Sequence, residues 1–143
     1  SASIPFTLRA ANDKYGIDKS ISTFTVPLGA TINMDGTAIM QGCATFFLAS
    51  LYGIDLGVSE IITIVITATI ASIGTAGIPS AGIIMLTVIF TQIGIPLEGI
   101  TLLLGVDRLL DMMRTSVNVS GDLCISCVVA SSENKINQKV FNS

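Results

Sequence analysis

The chain has 143 residues, of which 50% are hydrophobic and only 12% are charged, and its mean hydropathy is +0.77. A soluble domain usually carries about 25% charged residues, so this composition indicates that lipid or a very large buried interface surrounds the chain. Seven Lys and Arg residues that form no patch, with a net charge of -3, give no sign of a nucleic-acid partner. The chain begins with Ser1 and has no positively charged leader, so we expect it to be a C-terminal piece of a longer protein.

Three apolar blocks follow one another along the chain, at about 20–51, 61–93 and 100–130. Each block is longer than the ~20 residues that span a bilayer. The first block holds one charged residue, Asp35, and the second holds none, whereas the third carries several. The composition therefore predicts an all-α membrane protein in the cell membrane.

The basic residues outside the blocks predict the topology of the chain. They lie before the first block and after the third, at Arg9, Lys14, Lys19, Lys135 and Lys139. The loops at 52–60 and 94–99 contain no Lys or Arg. Because positive charge marks cytoplasmic segments, both basic segments belong on the cytoplasmic side, which requires an even number of crossings between them.

The middle block therefore contributes either no crossing or two. Its 33 residues are too few for two full spans of ~20 residues, and its centre, Gly74–Gly82, contains Pro79 among several glycines. Such a segment interrupts a helix. The sequence predicts a re-entrant hairpin of two half-helices, each about 20 Å long. A single kinked helix is the alternative, and it would place the basic tail on the wrong side. Because irregular backbone at membrane depth must be buried by protein or meet a watery cavity, the tip is a candidate site.

The first block is also broken. Pro27 and Gly29 weaken its early part, and Asn33–Thr37 places short polar side chains and a glycine near its middle. Short polar side chains compete with helical backbone hydrogen bonds. We expect a helix that ends at about Ile32, an unwound turn, and then a second helix.

The third block carries a polar stripe at helical spacing: Asp107, Asp111, Thr115 or Arg114, Asn118 and Asp122. Ionisable residues inside a membrane span mark functional sites by default. Arg114 offers a planar fork of donors that suits a carboxylate, and Asp111 can pair with Arg114 or attract an ammonium group. A purely structural ion pair between these two residues is the competing interpretation. Asn118, Asp122 and Asp35 offer oxygens that suit a hard cation such as Na⁺.

Three motifs together resemble the dicarboxylate/amino acid:cation symporter family, the glutamate/aspartate transporters. They are Asn33–Thr37, the tip Gly74–Pro79, and the stretch Asp111–Asp122 with its Arg114-Thr115 and Asn118-Val119 pairs. The resemblance covers nearly the whole chain. It implies a partial transport domain: the end of a first re-entrant hairpin at 1–10, a broken seventh helix at 20–51, a second re-entrant hairpin at 60–94, an eighth helix at 100–130 and a cytoplasmic tail at 131–143.

The resemblance also implies the site residues. Arg114 would bind the side-chain carboxylate of the substrate and Asp111 its amino group. Thr37, Thr115, Asn118 and the backbone at Ile78 would complete the substrate pocket. Sodium ions would bind in three places, formed by Gly29, Asn33, Asn118 and Asp122, by Thr31, Ser72, Ile73 and Thr75, and by Asn33 with Asp35.

The function implied is sodium-coupled symport of acidic amino acids by alternating access, in a full-length homotrimer whose N-terminal scaffold is missing here. Arg114 favours acidic over neutral amino acids, and Asp111 and Asp122 favour sodium over protons as the coupling ion. A proton-coupled C4-dicarboxylate carrier or a neutral amino acid symporter of the same family is the alternative. The chain has no His and no nucleophile paired with a base, so we do not expect an enzyme, and no organic cofactor is implied. A channel that uses the polar stripe as a pore is the remaining rival.

Overall fold

A computed structural model describes residues 1–73, 75 and 81–142. Regular structure in these residues is helical, apart from one isolated bridge between Ile17 and Ile136. The helices are α1 (Ile4–Asp13), α2 (Lys19–Ile32), α3 (Asp35–Leu51), α4 (Val58–Ile73), α5 (Ala81–Ile93), α6 (Ile100–Leu104), α7 (Asp107–Ser132) and α8 (Gln138–Phe141). A single 3-10 turn, Leu97–Gly99, precedes α6. Among the described residues, no helix combines the length and the apolar character needed to cross a membrane.

The first apolar block is interrupted between α2 and α3. Helix α2 ends at Ile32 and α3 begins at Asp35, so the interruption coincides with the polar segment that the sequence singles out. Asn33 and Met34 leave helical geometry, with ψ angles of 71° and 55°. Helix α2 continues through Pro27, so the earlier weakening expected at that proline does not break the helix.

The middle block forms two helices, α4 and α5, which pack against each other. Their 16 and 13 residues correspond to lengths of about 24 and 20 Å. Thr67 of α4 donates a 2.8 Å hydrogen bond to Gln92 of α5, which joins the two helices away from the tip. Apart from Thr75, the tip residues 74–80 lie outside the described part of the chain, so the predicted hairpin turn has no structural description.

The third block is divided, although one helix over 100–130 was expected. Helix α6 ends at Leu104, and α7 starts at Asp107, with two residues between the helices. Val106 donates its N–H to the Leu103 carbonyl, a tight turn of the kind that ends helices. Asp107 then opens α7, where a carboxylate complements the positive end of the helix dipole.

Two apolar clusters hold these helices together. In the larger one, Leu48 of α3, Ile64 of α4 and Leu86, Ile89 and Phe90 of α5 are fully buried. The smaller cluster contains Ala11, Ile17 and Ala130, and so joins the ends of α1 and α7. Helix α7 packs against both α2 and α3. As a result, its polar stripe faces the break between those two helices.

The two basic segments of the chain lie together in this fold. The Asp18 N–H donates to the Lys135 carbonyl at 3.0 Å, and the Asn137 N–H donates to the Gly16 carbonyl at 2.8 Å. The Lys135 ammonium donates to the Ser20 hydroxyl at 2.9 Å. We call this arrangement of residues 16–20 with residues 135–140 the loop–tail clasp. It agrees with the sequence-based expectation that both basic segments lie on one side of the membrane.

Candidate functional site

The break between α2 and α3 is stabilised from α7. Met34, which precedes α3, makes no side-chain capping hydrogen bond. Instead, the Asn118 carbonyl oxygen on α7 accepts the Gly36 N–H at 2.8 Å, and the Asn118 amide donates to the Thr37 hydroxyl at 3.2 Å. Because the first N–H groups of a helix have no partner within the helix, Asn118 caps α3 from a neighbouring helix. One side chain therefore joins the unwound turn to the polar stripe.

Asp122 lies one helical turn further along α7, against the end of α2. Its carboxylate accepts a 3.0 Å hydrogen bond from the Asn33 amide. The same carboxylate contacts Gly29, where a Cβ atom would collide with it. The structure therefore brings Gly29, Asn33 and Asp122 into direct contact, with Asn118 on the same face of α7.

Gly121 allows Asn33 and Asp35 to approach α7. A Cβ atom at Gly121 would lie 2.7 Å from the Asn33 side-chain nitrogen and 3.4 Å from a carboxylate oxygen of Asp35. Both polar side chains of the unwound turn are therefore close to the same point on α7. This is the pair that the family resemblance assigns to a third sodium ion.

Arg114 and Asp111 form an ion pair within α7. Nη2 of Arg114 donates to Oδ1 of Asp111, and the two side chains are 5% and 25% exposed. Nη1 of Arg114 is buried and has no hydrogen-bond partner within the described residues. A buried cationic donor without a partner is costly, so this nitrogen is available to an anionic ligand.

A cavity of about 190 Å³ collects these polar groups. Its walls come from the N-terminal segment, α2, α3, α5 and α7, and its polar lining consists of Ser1, Ser3, Thr7, Thr37, Thr75, Asp111, Arg114, Thr115, Asn118 and Asp122. Five of the six residues predicted for the substrate site line this one cavity. The sixth, Ile78, lies outside the described residues.

The second predicted group of sodium ligands is divided between two helices that touch, α2 and α4. Ser72 and Thr75 are buried, and their hydroxyls donate to the Thr69 and Ala71 carbonyls. Ile73, between them, exposes its side chain. Thr31 is exposed on α2 and donates to the Leu28 carbonyl at 2.7 Å. The described hydrogen bonds of these residues are local, so the group stays a prediction.

Within the described residues, no group of three or more His, Cys, Asp or Glu side chains is placed to hold a metal ion. The residues predicted to bind the first sodium ion offer instead carboxylate, side-chain amide and main-chain oxygens. Neutral and anionic oxygens of this kind are the ligands of hard cations.

Several cavity residues were missed by the sequence analysis. Ser1, Ser3 and Thr7 line the cavity, although their segment was interpreted only as the end of a hairpin. Gly82 also lines it, at the start of α5. The short polar side chains of Ser1, Ser3 and Thr7 were the available signal for these three residues. Nothing in the local sequence distinguishes Gly82 from the other glycines of the tip.

Comparison with known proteins assigns this chain to a protein family. The profile of the sodium:dicarboxylate symporter family matches residues 1–132, so the chain belongs to this family. Members of this family are multi-pass proteins of the plasma membrane, which confirms the predicted location.

Several similar proteins are excitatory amino acid transporters of mammals. The chain is 51% identical over 122 residues to excitatory amino acid transporter 3 of Mus musculus and of Homo sapiens, covering 85% of this chain and 23% of each relative. It is also 51% identical to excitatory amino acid transporter 2 of Mus musculus, of which it covers 21%. The chain therefore spans less than a quarter of the length of these relatives.

Proposed function

We propose that the chain is part of the transport domain of a sodium-coupled symporter for acidic amino acids. Family membership and the names of the relatives support this proposal, and one structural observation carries it. The buried Nη1 of Arg114 has no partner in the described part of the chain, in a residue that lines the polar cavity beside Asp111. A ligand that carries both a carboxylate and an ammonium group matches this pair.

The Arg114–Asp111 ion pair is compatible with substrate binding. Nη2 holds Asp111 in place, while Nη1 is left to donate to the side-chain carboxylate of the substrate. The second oxygen of the partly exposed Asp111 can then accept from the amino group. Thr37 and Thr115 add hydroxyl groups to the cavity wall. Charge-assisted hydrogen bonds of this type are roughly twice as strong as neutral ones, so they select acidic substrates.

Sodium enters this proposal as a co-transported substrate. In this proposal, Asp122, Asn33 and the main chain near Gly29 supply oxygens to one ion position, and Asp35 with Asn33 supplies them to another. The proximity of Gly29, Asn33 and Asp122 supports the first position, and that of Asn33 and Asp35 to Gly121 supports the second. Asn118 couples ion and substrate, since it caps the unwound turn and also contacts Thr37 in the cavity. Ions that order this turn would therefore also order the substrate pocket.

The membrane arrangement follows from the same elements. In the proposal, α4 and α5 are the arms of a re-entrant hairpin, and α2 and α3 form a broken membrane helix. The hairpin acts as the extracellular gate, and the domain crosses the membrane by alternating access. A homotrimer formed through an N-terminal scaffold completes the proposed transporter.

Uptake of labelled aspartate by the full-length protein in proteoliposomes tests this function. We expect accumulation with an inward sodium gradient and none with choline in its place. Uptake driven only by a proton gradient would contradict the sodium sites. Uptake of serine or alanine without uptake of aspartate would contradict the assignment of Arg114.

Arg114→Cys tests the carboxylate-binding role of Arg114 separately from the rest of the substrate pocket. We expect it to abolish aspartate uptake, a loss of at least about tenfold to a hundredfold in affinity for a charged hydrogen-bonded pair, while neutral amino acids are still accepted. Arg108→Cys is the matched control, because Arg108 is exposed in the first turn of the same helix, α7. Unchanged aspartate affinity in Arg114→Cys would refute the role of this arginine.

A further inference from the structure

We infer that Gly82 and Gln41 are positioning residues that fix the guanidinium of Arg114 and thereby set the preference for acidic substrates. This inference rests on the proposed function and adds the residues outside α7 that make Arg114 selective. Neither residue carries a charge, and neither belongs to the predicted substrate or sodium sites.

Gly82 is the point where α5 meets Arg114. A Cβ atom at this position would collide with Nη1 of Arg114 and would lie 3.2 Å from its Cζ atom and from Cε of Met40. Gly82 is buried in the first turn of α5 and lines the same cavity as Arg114. The guanidinium can occupy this position only because Gly82 has no side chain.

Gln41 holds the same turn of α5 from the opposite helix. Its side chain is fully buried in α3, and Nε2 donates a 3.2 Å hydrogen bond to the Gly82 carbonyl. The carbonyl groups of the first turn of a helix point along the helix and are normally paired within it, so this added bond restrains where α5 begins. Oε1 of Gln41 is buried without a partner in the described residues, and an unsatisfied buried acceptor of this kind destabilises the fold.

Three helices therefore meet at one glycine: α3 through the Gln41 amide, α7 through the Arg114 guanidinium, and α5 through Gly82 itself. The distance from Arg114 to the cavity depends on how closely α5 approaches. Helix α5 is one arm of the proposed gate. Arg114 therefore takes its carboxylate-binding position only when the gate is closed. An acidic substrate would favour that arrangement more than a neutral one.

Gly82→Ala tests the positioning role of Gly82 in the full-length protein in proteoliposomes. The affinities for aspartate and for alanine are measured by their competition with uptake of a labelled substrate. The added methyl group displaces the guanidinium. We expect aspartate affinity to fall by about tenfold to a hundredfold, the range for a lost charged hydrogen bond, with little change for alanine. Gly42→Ala is the matched control, because a Cβ atom at Gly42 would meet nothing within 4 Å.

A double-mutant cycle then shows whether the effect passes through Arg114. In an Arg114→Cys background, Gly82→Ala should leave alanine uptake unchanged, since no guanidinium remains to be displaced. Gln41→Met keeps the side-chain length but removes the amide donor. As a single substitution it should weaken aspartate binding, and in the Arg114→Cys background it should leave alanine uptake unchanged.

The outcomes are distinct. If Gly82→Ala lowered the affinities for aspartate and alanine equally, the cause would be a general packing defect and the inference would be wrong. It would also be wrong if Gly82→Ala behaved like Gly42→Ala. Absence of sodium-dependent aspartate uptake in the unmodified protein would instead refute the proposed function itself. Selective loss of aspartate that disappears without Arg114 would establish the positioning role.

Discussion

At the scale of single residues, glycines decide how closely polar groups approach one another. Gly29 faces the Asp122 carboxylate, Gly121 faces Asn33 and Asp35, and Gly36 lies where a Cβ atom would be 2.9 Å from Cβ of Val117. All of these contacts join α7 to α2, to α3 or to the turn between them. The carboxylate and amide side chains are therefore brought together by the absence of side chains at the glycines as much as by their own chemistry.

Gly29→Ala should weaken sodium binding. The new methyl group would collide with the Asp122 carboxylate and move it away from Asn33, and overpacking of this kind costs about 1–3 kcal/mol. If this cost appears in full in the binding of one sodium ion, the sodium concentration for half-maximal aspartate uptake rises by roughly fivefold to 150-fold. The control is Gly105→Ala, whose Cβ atom would make only an ordinary 3.6 Å contact with the Leu102 carbonyl. Equal sodium dependence in the two variants would contradict the prediction.

Asp18, which lies outside the membrane-spanning segments, makes a pH-dependent contribution to the stability of the folded chain. The Ser20 hydroxyl and the Ser20 N–H donate to its carboxylate, and together with the nearby Lys135 they lower the pKa of Asp18. Its stabilising effect is therefore complete above the pKa of the unfolded chain, about 3.9, and is lost as the pH falls through the lower pKa of the folded state.

Asp18→Asn should consequently lower the thermal unfolding temperature at neutral pH. Asparagine caps a helix about as well as aspartate, so the difference reports the charge alone. We expect the two unfolding temperatures, measured in detergent, to converge in strongly acidic buffer. A difference that stays constant over the whole pH range would contradict this account.

At the scale of elements, the loop–tail clasp connects two segments far apart in the chain. Gly16 has a φ angle of 64°, and a Cβ atom there would lie 2.6 Å from the Asn137 carbonyl oxygen and 3.1 Å from Cβ of Val140. The glycine therefore serves two purposes, a left-handed backbone conformation and close contact with the tail. The clasp holds the end of α1 and the start of α2 against the end of α7.

Gly16→Ala should destabilise the fold more than Gly53→Ala does. Both glycines have positive φ angles, 64° and 66°, so both substitutions carry the left-handed penalty of roughly 1–2 kcal/mol. At Gly53, however, a Cβ atom would meet nothing within 4 Å, so only Gly16→Ala adds a collision with the tail. Chemical unfolding in detergent measures the difference. Truncation after Glu133 should remove the excess penalty at Gly16, and persistence of that excess would show that the tail is not its cause.

At the scale of the whole molecule, large apolar side chains are exposed on every helix from α1 to α7. Each of α1 to α7 exposes at least one large hydrophobic residue: Phe6, Phe24, Ile39, Ile66, Ile84, Leu102 and Leu109. Soluble monomers rarely expose large contiguous apolar patches, whereas exposed apolar residues are the rule on a surface that faces lipid. The distribution agrees with a chain that lies among lipids and other parts of a membrane protein.

The isolated chain of 143 residues should therefore stay monodisperse only in detergent or lipid. Size-exclusion chromatography with and without detergent measures this, and we expect aggregation when detergent is removed. In detergent, the isolated chain should bind aspartate far more weakly than the full-length protein, because in the proposal other parts of the longer protein complete the site. A monodisperse chain in plain buffer would contradict the expectation of a lipid environment.

The sequence by itself determined the features that depend on neighbours a few positions apart. A polar segment at Asn33–Thr37 breaks a helix locally, and residues three or four positions apart necessarily share one helix face. For this reason the interruption after Ile32 and the stripe from Asp107 to Asp122 could be recognised, and the motifs they contain resemble the family to which the chain belongs.

Only the tertiary structure decided which distant residues meet. Gln41 contacts Gly82 across 41 positions, and Lys135 contacts Ser20 across 115. Such contacts depend on how closely whole helices pack, and that distance is set by glycines and small side chains from several elements at once. No local pattern records it. The polar stripe could therefore be identified from the sequence, whereas the position of the Arg114 guanidinium within the cavity could not.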